Sequence, residues 1–170
     1  METLSTLTTQ EQETLMRLAF EQAHQAESLG EVPIGAIIER DGQIIGSGYN
    51  LRETSQDAID HAEIMAIKQA CETIGSWRLE RARLFVTLEP CPMCAGAIIN
   101  SRVAEVYFGA KDPKAGAVGS LLNLLTDTRF NHQPTVFPGV LELESQALLQ
   151  NFFRAIRAKQ KQLKKTQRNR

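Results

Sequence analysis

Two short stretches hold side chains whose types and spacing could do chemistry: Asp60-His61-Ala62-Glu63 and Glu89-Pro90-Cys91-Pro92-Met93-Cys94. Cys91 and Cys94 are three residues apart, so on a helix they share one face. Pro92 suits a first helical position, which makes Cys91 the candidate N-cap. A helix N-terminus favours thiolate over thiol, and thiolate is the form a metal needs. Two thiolates and a neutral imidazole suit Zn2+, and three protein ligands leave a fourth position for water. His61 can supply the imidazole. The other histidines lack a motif: His24 falls in a helical repeat and His132 in a polar loop. Glu63 follows His61 by two residues and so does not share its helix face. First-turn side chains lean toward the helix N-terminus, which would put Glu63 beside the metal rather than on it. That is where a proton shuttle for an activated water must stand.

Each part has a blander reading. Asp60 and Glu63 have the spacing of a capping box, which needs no metal. The cysteines could belong to a closed structural site, but that needs a fourth ligand, and Cys71 is the only spare cysteine. Cys71 would lie about 15 Å along the helix from His61, too far to join it. It reads better as a small buried hydrophobe. The open, catalytic arrangement is therefore preferred.

Elements must bring these stretches together. Thr8 with Glu11 forms a capping box, and Leu15, Leu18, Ala19, Ala26 and Leu29 recur at helical spacing up to Gly30. Residues 32–39 and 43–49 read as a hairpin turned at Asp41-Gly42. Gly46 and Gly48 suggest a bulge or a close backbone approach in its second strand. Residues 50–60 read as a loop, 61–74 as a helix and 84–88 as a buried strand. A helix from Cys91 to Asn100 and a strand over 103–109 follow. A loop covers 110–119, with a short helix at Leu121–Leu125 and a weak strand over 134–141, interrupted by Pro138 and Gly139. A last helix runs from Leu143 into the tail, with Leu148, Leu149, Phe152, Phe153 and Ile156 on its apolar side. This order implies an α/β fold, a mixed sheet with helices on both faces. Ligands in such sheets bind at the carboxyl ends of strands, where helices begin.

A chain of 170 residues, 42% hydrophobic and 23% charged, is an ordinary globular domain, expected to be single over 1–170. No run of 18 apolar residues spans a membrane. The polar Met1–Gln10 segment has no signal-peptide pattern, so a cytoplasmic location is expected. Three cysteines, an odd number, do not make a disulfide framework. Net charge is −1, yet Arg154–Arg170 holds eight basic residues and no acid, leaving −9 on the remainder. A basic tail on an acidic body can attract a polyanion, although a solvated helix end is the plainer reading of charge alone.

H-x-E followed by P-C-x-x-C is the signature of zinc-dependent nucleoside and nucleobase deaminases. Further stretches narrow the likeness: VPIGAI at 32–37, SGYN at 47–50, HAEIMAI at 61–67, TLEPCPMCAGAI at 87–98, VYFGAKDPKAGAVGS at 106–120 and ALLQNFFR at 147–154. Together these resemble the bacterial tRNA-specific adenosine deaminases from about residue 10 to 160. The resemblance implies a three-layer α/β/α cytidine-deaminase-like fold with a mixed five-stranded sheet. It implies hydrolysis of the wobble adenosine of an arginine tRNA to inosine, with one Zn2+ per subunit held by His61, Cys91 and Cys94. Glu63 would take a proton from the zinc-activated water and deliver protons to the ring and the leaving amine. Asn50 resembles the family's substrate-contacting asparagine, though turn chemistry alone could place it there. The backbone amides of Ala62 and Cys91 would face the substrate. Lys111, Asp112 and Lys114 resemble positions that meet RNA, with Asp112 placed for a ribose hydroxyl. Phe153 and Arg154 would support or contact the anticodon stem-loop, Phe152 would pack in the core, and the basic tail would meet phosphates. Relatives often have arginine at the position of Lys111, and Pro113 and Ala115 vary the loop. A homodimer is implied, its basis expected on exposed apolar residues of the helix after Cys94. No DNA partner is expected.

Two other functions stay open at this point. A zinc deaminase of a free base or nucleotide, of the guanine or cytosine type, shares the motifs but needs neither the basic tail nor the 110–119 loop as RNA contacts. A riboflavin-pathway deaminase fits less well, because its cysteines are spaced more widely. A non-enzymatic zinc or RNA-binding module would use Glu63 only to cap a helix.

Overall fold

The computed structural model describes residues 5–169; the first four residues of the Met1–Gln10 segment and the terminal Arg170 lie outside them. Helix α1 spans Thr9–Ser28 and starts at the expected capping box: Glu11 N donates to Thr8 Oγ1 at 3.1 Å, and Thr8 N to Glu11 Oε2 at 2.7 Å. It ends at Leu29, with Gly30 at φ +77°. Strands β1 (Gly35–Arg40) and β2 (Gln43–Tyr49) form the hairpin. Asp41 and Gly42 both have positive φ, the turn that matches strand twist. β1 starts three residues later than the sequence predicts, because Pro33 has no N–H to pair.

Residues 50–60 are not all loop. Helix α2 (Arg52–Ser55) forms one turn there, its Thr54 N held by the buried Glu31 carboxylate. Helix α3 (Ala62–Ile74), strand β3 (Arg83–Leu88), helix α4 (Pro92–Ser101) and strand β4 (Glu105–Ala110) follow as expected. The Leu121–Leu125 helix is absent. The chain turns back on itself, with Gly119 N bonded to Leu122 O and Leu124 N to Ala117 O, which spends the groups a helix would use. Leu125 is buried while Leu121 and Leu122 stay exposed. The weak strand shrinks to β5 (Thr135–Phe137), since Pro138 offers no N–H and Gly139 takes φ +81°. Helix α5 runs from Glu142 to Arg168.

The sheet order is β2-β1-β3-β4-β5, with β1 antiparallel to both neighbours and β3, β4 and β5 parallel. Side chains alternate between two cores, as the pleat demands. Ala36, Ile38, Leu84, Val86, Val106 and Phe108 pack under α3 and α4. Ile37, Phe85 and Tyr107 face α1 on the other side, where Leu148 of α5 also packs. Phe85, Tyr107 and Phe137 stack ring on ring across three strands. This is the expected three-layer mixed-sheet architecture.

Both β2 glycines have a packing reason. A Cβ at Gly46 would run into Ala66 O, and one at Gly48 into Ala62 O. α3 therefore rests its backbone directly on β2, and the register of the hairpin slips opposite Ile45. This contact fixes the height of the N-terminus of α3 at the sheet edge.

Candidate active site

His61 is the N-cap of α3 and Cys91 the N-cap of α4, with Pro92 at the first helical position. α4 follows β3 directly, so both helix starts meet at the carboxyl end of that strand. Asp60 caps nothing, which removes the capping-box reading of Asp60 and Glu63. His61 Nδ1 lies 3.5 Å from Cys91 Sγ and 3.6 Å from Cys94 Sγ. Tetrahedral Zn2+, with bonds of about 2.0–2.1 Å to nitrogen and about 2.3 Å to sulfur, requires N···S edges of about 3.5–3.6 Å. The three side chains thus fit the metal that their types suggest. They are the metal-capable cluster among the described residues, and Cys71 is not part of it. Cys71 is half-buried at the rim of the core rather than fully inside it. His132 bonds Val103 O at 2.6 Å and His24 lies on the surface near Glu27, both away from the cluster.

The electrostatics match a cation-binding site. A hydrogen bond from Cys94 brings the Cys91 thiol down to about 4, against burial and with help from His61. Donating that bond, with burial added, pushes Cys94 up. The bond to Cys91 raises His61 in turn, while burial opposes. A divalent cation at this position would displace the thiol protons, because metal ligands bind deprotonated. Glu63 is 4% exposed beside them, and burial pushes its carboxyl up to about 7. A carboxyl poised near neutrality can both take and give a proton.

A cavity of about 410 Å³ opens above the cluster, a volume typical of small-molecule sites. Its floor holds His61, Ala62, Glu63 and Cys91, while Cys94 is fully buried behind them. Asn50 forms one side. Its Nδ2 donates to Val32 O at 3.3 Å and its Oδ1 accepts from Arg52 N at 3.2 Å. One N–H and one lone pair remain for a ligand. Lys111, Asp112 and Lys114 also line the cavity, as does Phe153 of α5. Arg154 points elsewhere: it is exposed and donates to Asn151 Oδ1 at 3.2 Å, outside the cavity lining. Phe152 is only partly buried, edge-on to Phe153.

Sequence reasoning missed Glu89, Leu149 and Arg52, all of which line the cavity. Glu89 stood inside the cysteine motif, and its charge in a strand-to-helix turn was the available signal. Burial works against its ionisation, but hydrogen bonds from Ser120, Asp112 and Val118 outweigh that and hold its carboxyl below the usual range.

Comparison with known proteins agrees with this geometry. A family model described as MafB19-like deaminase matches residues 10–157. A tRNA-specific adenosine deaminase of Bacillus subtilis is 54% identical over 153 residues, covering 90% of this chain and 95% of that protein. A structure from a study of A-to-I editing by tRNA:A34 deaminases has a TM-score of 0.77 at 43% identity, covering 80% of this chain and 99% of the other. A guanine deaminase from Bacillus subtilis is more distant, with a TM-score of 0.57 at 38% identity over 64% of this chain and 69% of its own. The chain thus belongs to the MafB19-like deaminases and, among them, to the tRNA-specific adenosine deaminase family.

Proposed function

We propose that this enzyme hydrolyses the wobble adenosine in the anticodon of an arginine tRNA to inosine, with release of ammonia. The observation that carries the chemistry is a His-Cys-Cys cluster at tetrahedral spacing with a buried, near-neutral Glu63 beside it. The RNA substrate is supported by the 54% identity to a tRNA-specific adenosine deaminase. His61, Cys91 and Cys94 would hold one zinc per subunit, which when bound supplies a Lewis acid that activates water at neutral pH.

The chain's own residues do the rest. Glu63 takes one proton of the attacking water and passes it to the purine ring nitrogen, then takes the remaining hydroxyl proton and passes it to the amine, which departs as ammonia while the carbonyl forms. Asn50, already oriented by Val32 and Arg52, offers a donor and an acceptor to the base edge. Ala62 lines the cavity at the start of α3, where first-turn amides lack helical partners, and its amide would face the substrate. Lys111, Asp112 and Lys114 meet the ribose-phosphate backbone, and Phe153 supports the anticodon loop. Arg154, outside the cavity, serves with the tail as a phosphate contact.

The same reading includes a cytoplasmic homodimer. The expected basis for it changes. Among the described residues α4 exposes no large hydrophobic side chain, whereas Leu121 and Leu122 in the turn beyond it are 60% and 49% exposed. These two are the better candidates for a contact with a second copy. No described helix is long and apolar enough to cross a membrane.

The deciding experiment incubates the purified protein with an arginine tRNA bearing an ACG anticodon and scores wobble inosine. Guanine, cytosine and adenosine run in parallel, with Glu63→Ala as the blank. Inosine that depends on Glu63 is the expected result. Ammonia from a free base, with the tRNA untouched, would move the assignment to a base deaminase.

A further inference from the structure

Glu89 is a buried carboxylate that the chemistry above does not use. It follows β3 directly and is 2% exposed, and no described cation pairs with it. Its partners are instead N–H and O–H groups of one segment. Oε2 accepts from Asp112 N at 2.8 Å and from the Ser120 hydroxyl. Oε1 accepts from Val118 N at 3.0 Å and Ser120 N at 2.9 Å. Two backbone bonds flank this clasp, Glu89 N to Ala110 O and Ala117 N to Pro90 O. The chain over 110–120 is thus wrapped around one carboxylate. Gly116 completes the fit, since a Cβ there would strike the Glu89 carboxylate.

The wrapped segment is the cavity wall that carries Lys111, Asp112 and Lys114. Within it, Asp112 Oδ1 accepts from Lys114 N and Ala115 N, which leaves its other oxygen for a ligand. Charge-assisted bonds to backbone N–H groups are strong and directional, so the carboxylate fixes where this wall stands. We propose that Glu89 is a positioning residue for polynucleotide recognition: it pins the 110–120 segment so that Asp112 and its lysine neighbours meet the sugar and phosphates beside the reacting base. This rests on the tRNA deaminase reading.

Glu89→Gln tests it. An amide can keep the Val118 and Ser120 N–H partners on its oxygen, but its NH2 then faces Asp112 N. An ACG anticodon stem-loop is the substrate. KM is expected to rise about tenfold while kcat stays within about threefold, the signature of lost binding rather than lost chemistry. Asp112→Ala should raise KM comparably, and the double variant should be no worse than Glu89→Gln alone, because one acts through the other. Gly116→Ala, whose methyl group would press on the Glu89 carboxylate and on Asp112 O, should reproduce the KM effect. Zinc content should stay at one per chain. An unchanged KM, multiplicative effects in the double variant, or a fall in kcat with loss of zinc would overturn the proposal. Hydrogen exchange on the unaltered protein gives a test without variants: the amides of Asp112, Val118 and Ser120 should exchange far more slowly than that of exposed Lys111. Equal rates would overturn it too. A wild-type protein inactive on the stem-loop would sink the functional reading and this one together, whereas activity with an unmoved KM would sink only the role of Glu89.

Discussion

Glu63 and Asn50 show how far one side chain's surroundings decide its work. Glu63 is buried against two sulfurs and an imidazole, and that setting moves its carboxyl to about 7. On the surface the same residue would be an ionised helix-start carboxylate. Glu63→Ala should therefore keep fold and zinc but lower turnover about 10²- to 10⁴-fold, the usual worth of a positioned proton carrier. Metal analysis and single-turnover deamination of the variant check this; turnover near wild type would remove Glu63 from its role. Asn50 was legible from its motif, but not its tethers, because Val32 O and Arg52 N reach it only through tertiary folding. Arg154 lies outside the cavity for a reason that helical spacing already contained. It adjoins Phe153 in sequence, and the helical turn between neighbours sends the two side chains to different faces.

The hairpin and α3 illustrate what pattern reading can and cannot see. Gly46 and Gly48 pointed to a bulge or a close approach, and the structure contains both. Which partner approaches was not legible, since α3 lies in a later part of the chain. At Gly48 a methyl group would strike the Ala62 carbonyl, which belongs to the first turn of the helix that carries His61 and Glu63. Gly48→Ala should thus cost about 3 kcal/mol through overpacking. It should also lower zinc occupancy by lifting the start of α3. Thermal melting together with metal content distinguishes this from plain destabilisation, in which occupancy would hold. The long, strongly periodic elements were read well. The short ones were not: α2 is held by the distant Glu31, and the turn at 116–125 is shaped by the Glu89 clasp and by buried Leu125. Both depend on contacts that local propensity does not encode.

Across the whole molecule, charge is divided between an acidic body and a basic helix. α5 extends to Arg168, and its described residues from Arg157 onward are exposed. Replacing Lys159, Lys161, Lys164 and Lys165 by glutamine should weaken stem-loop binding. It should also flatten the slope of log K against log salt by up to about 3.6, at roughly 0.7–0.9 per phosphate contact. Titrations between low and moderate salt check this; an unchanged slope would return the tail to a solvated helix end. The three side chains proposed to hold the metal are distributed differently. His61 and the Cys91–Cys94 pair begin two separate helices, 30 residues apart in the chain, and β3 lies between them in sequence. Any ion held there is also a cross-link between distant parts of the fold. Stability then becomes a function of free metal: at 1,000 times Kd, occupancy adds about 4 kcal/mol. Chelation should lower Tm by roughly 10 °C in a domain of this size, and Cys91→Ala should show the lower Tm without chelator. In a cell starved of zinc, this enzyme would lose cohesion as well as activity, so its abundance would follow metal supply.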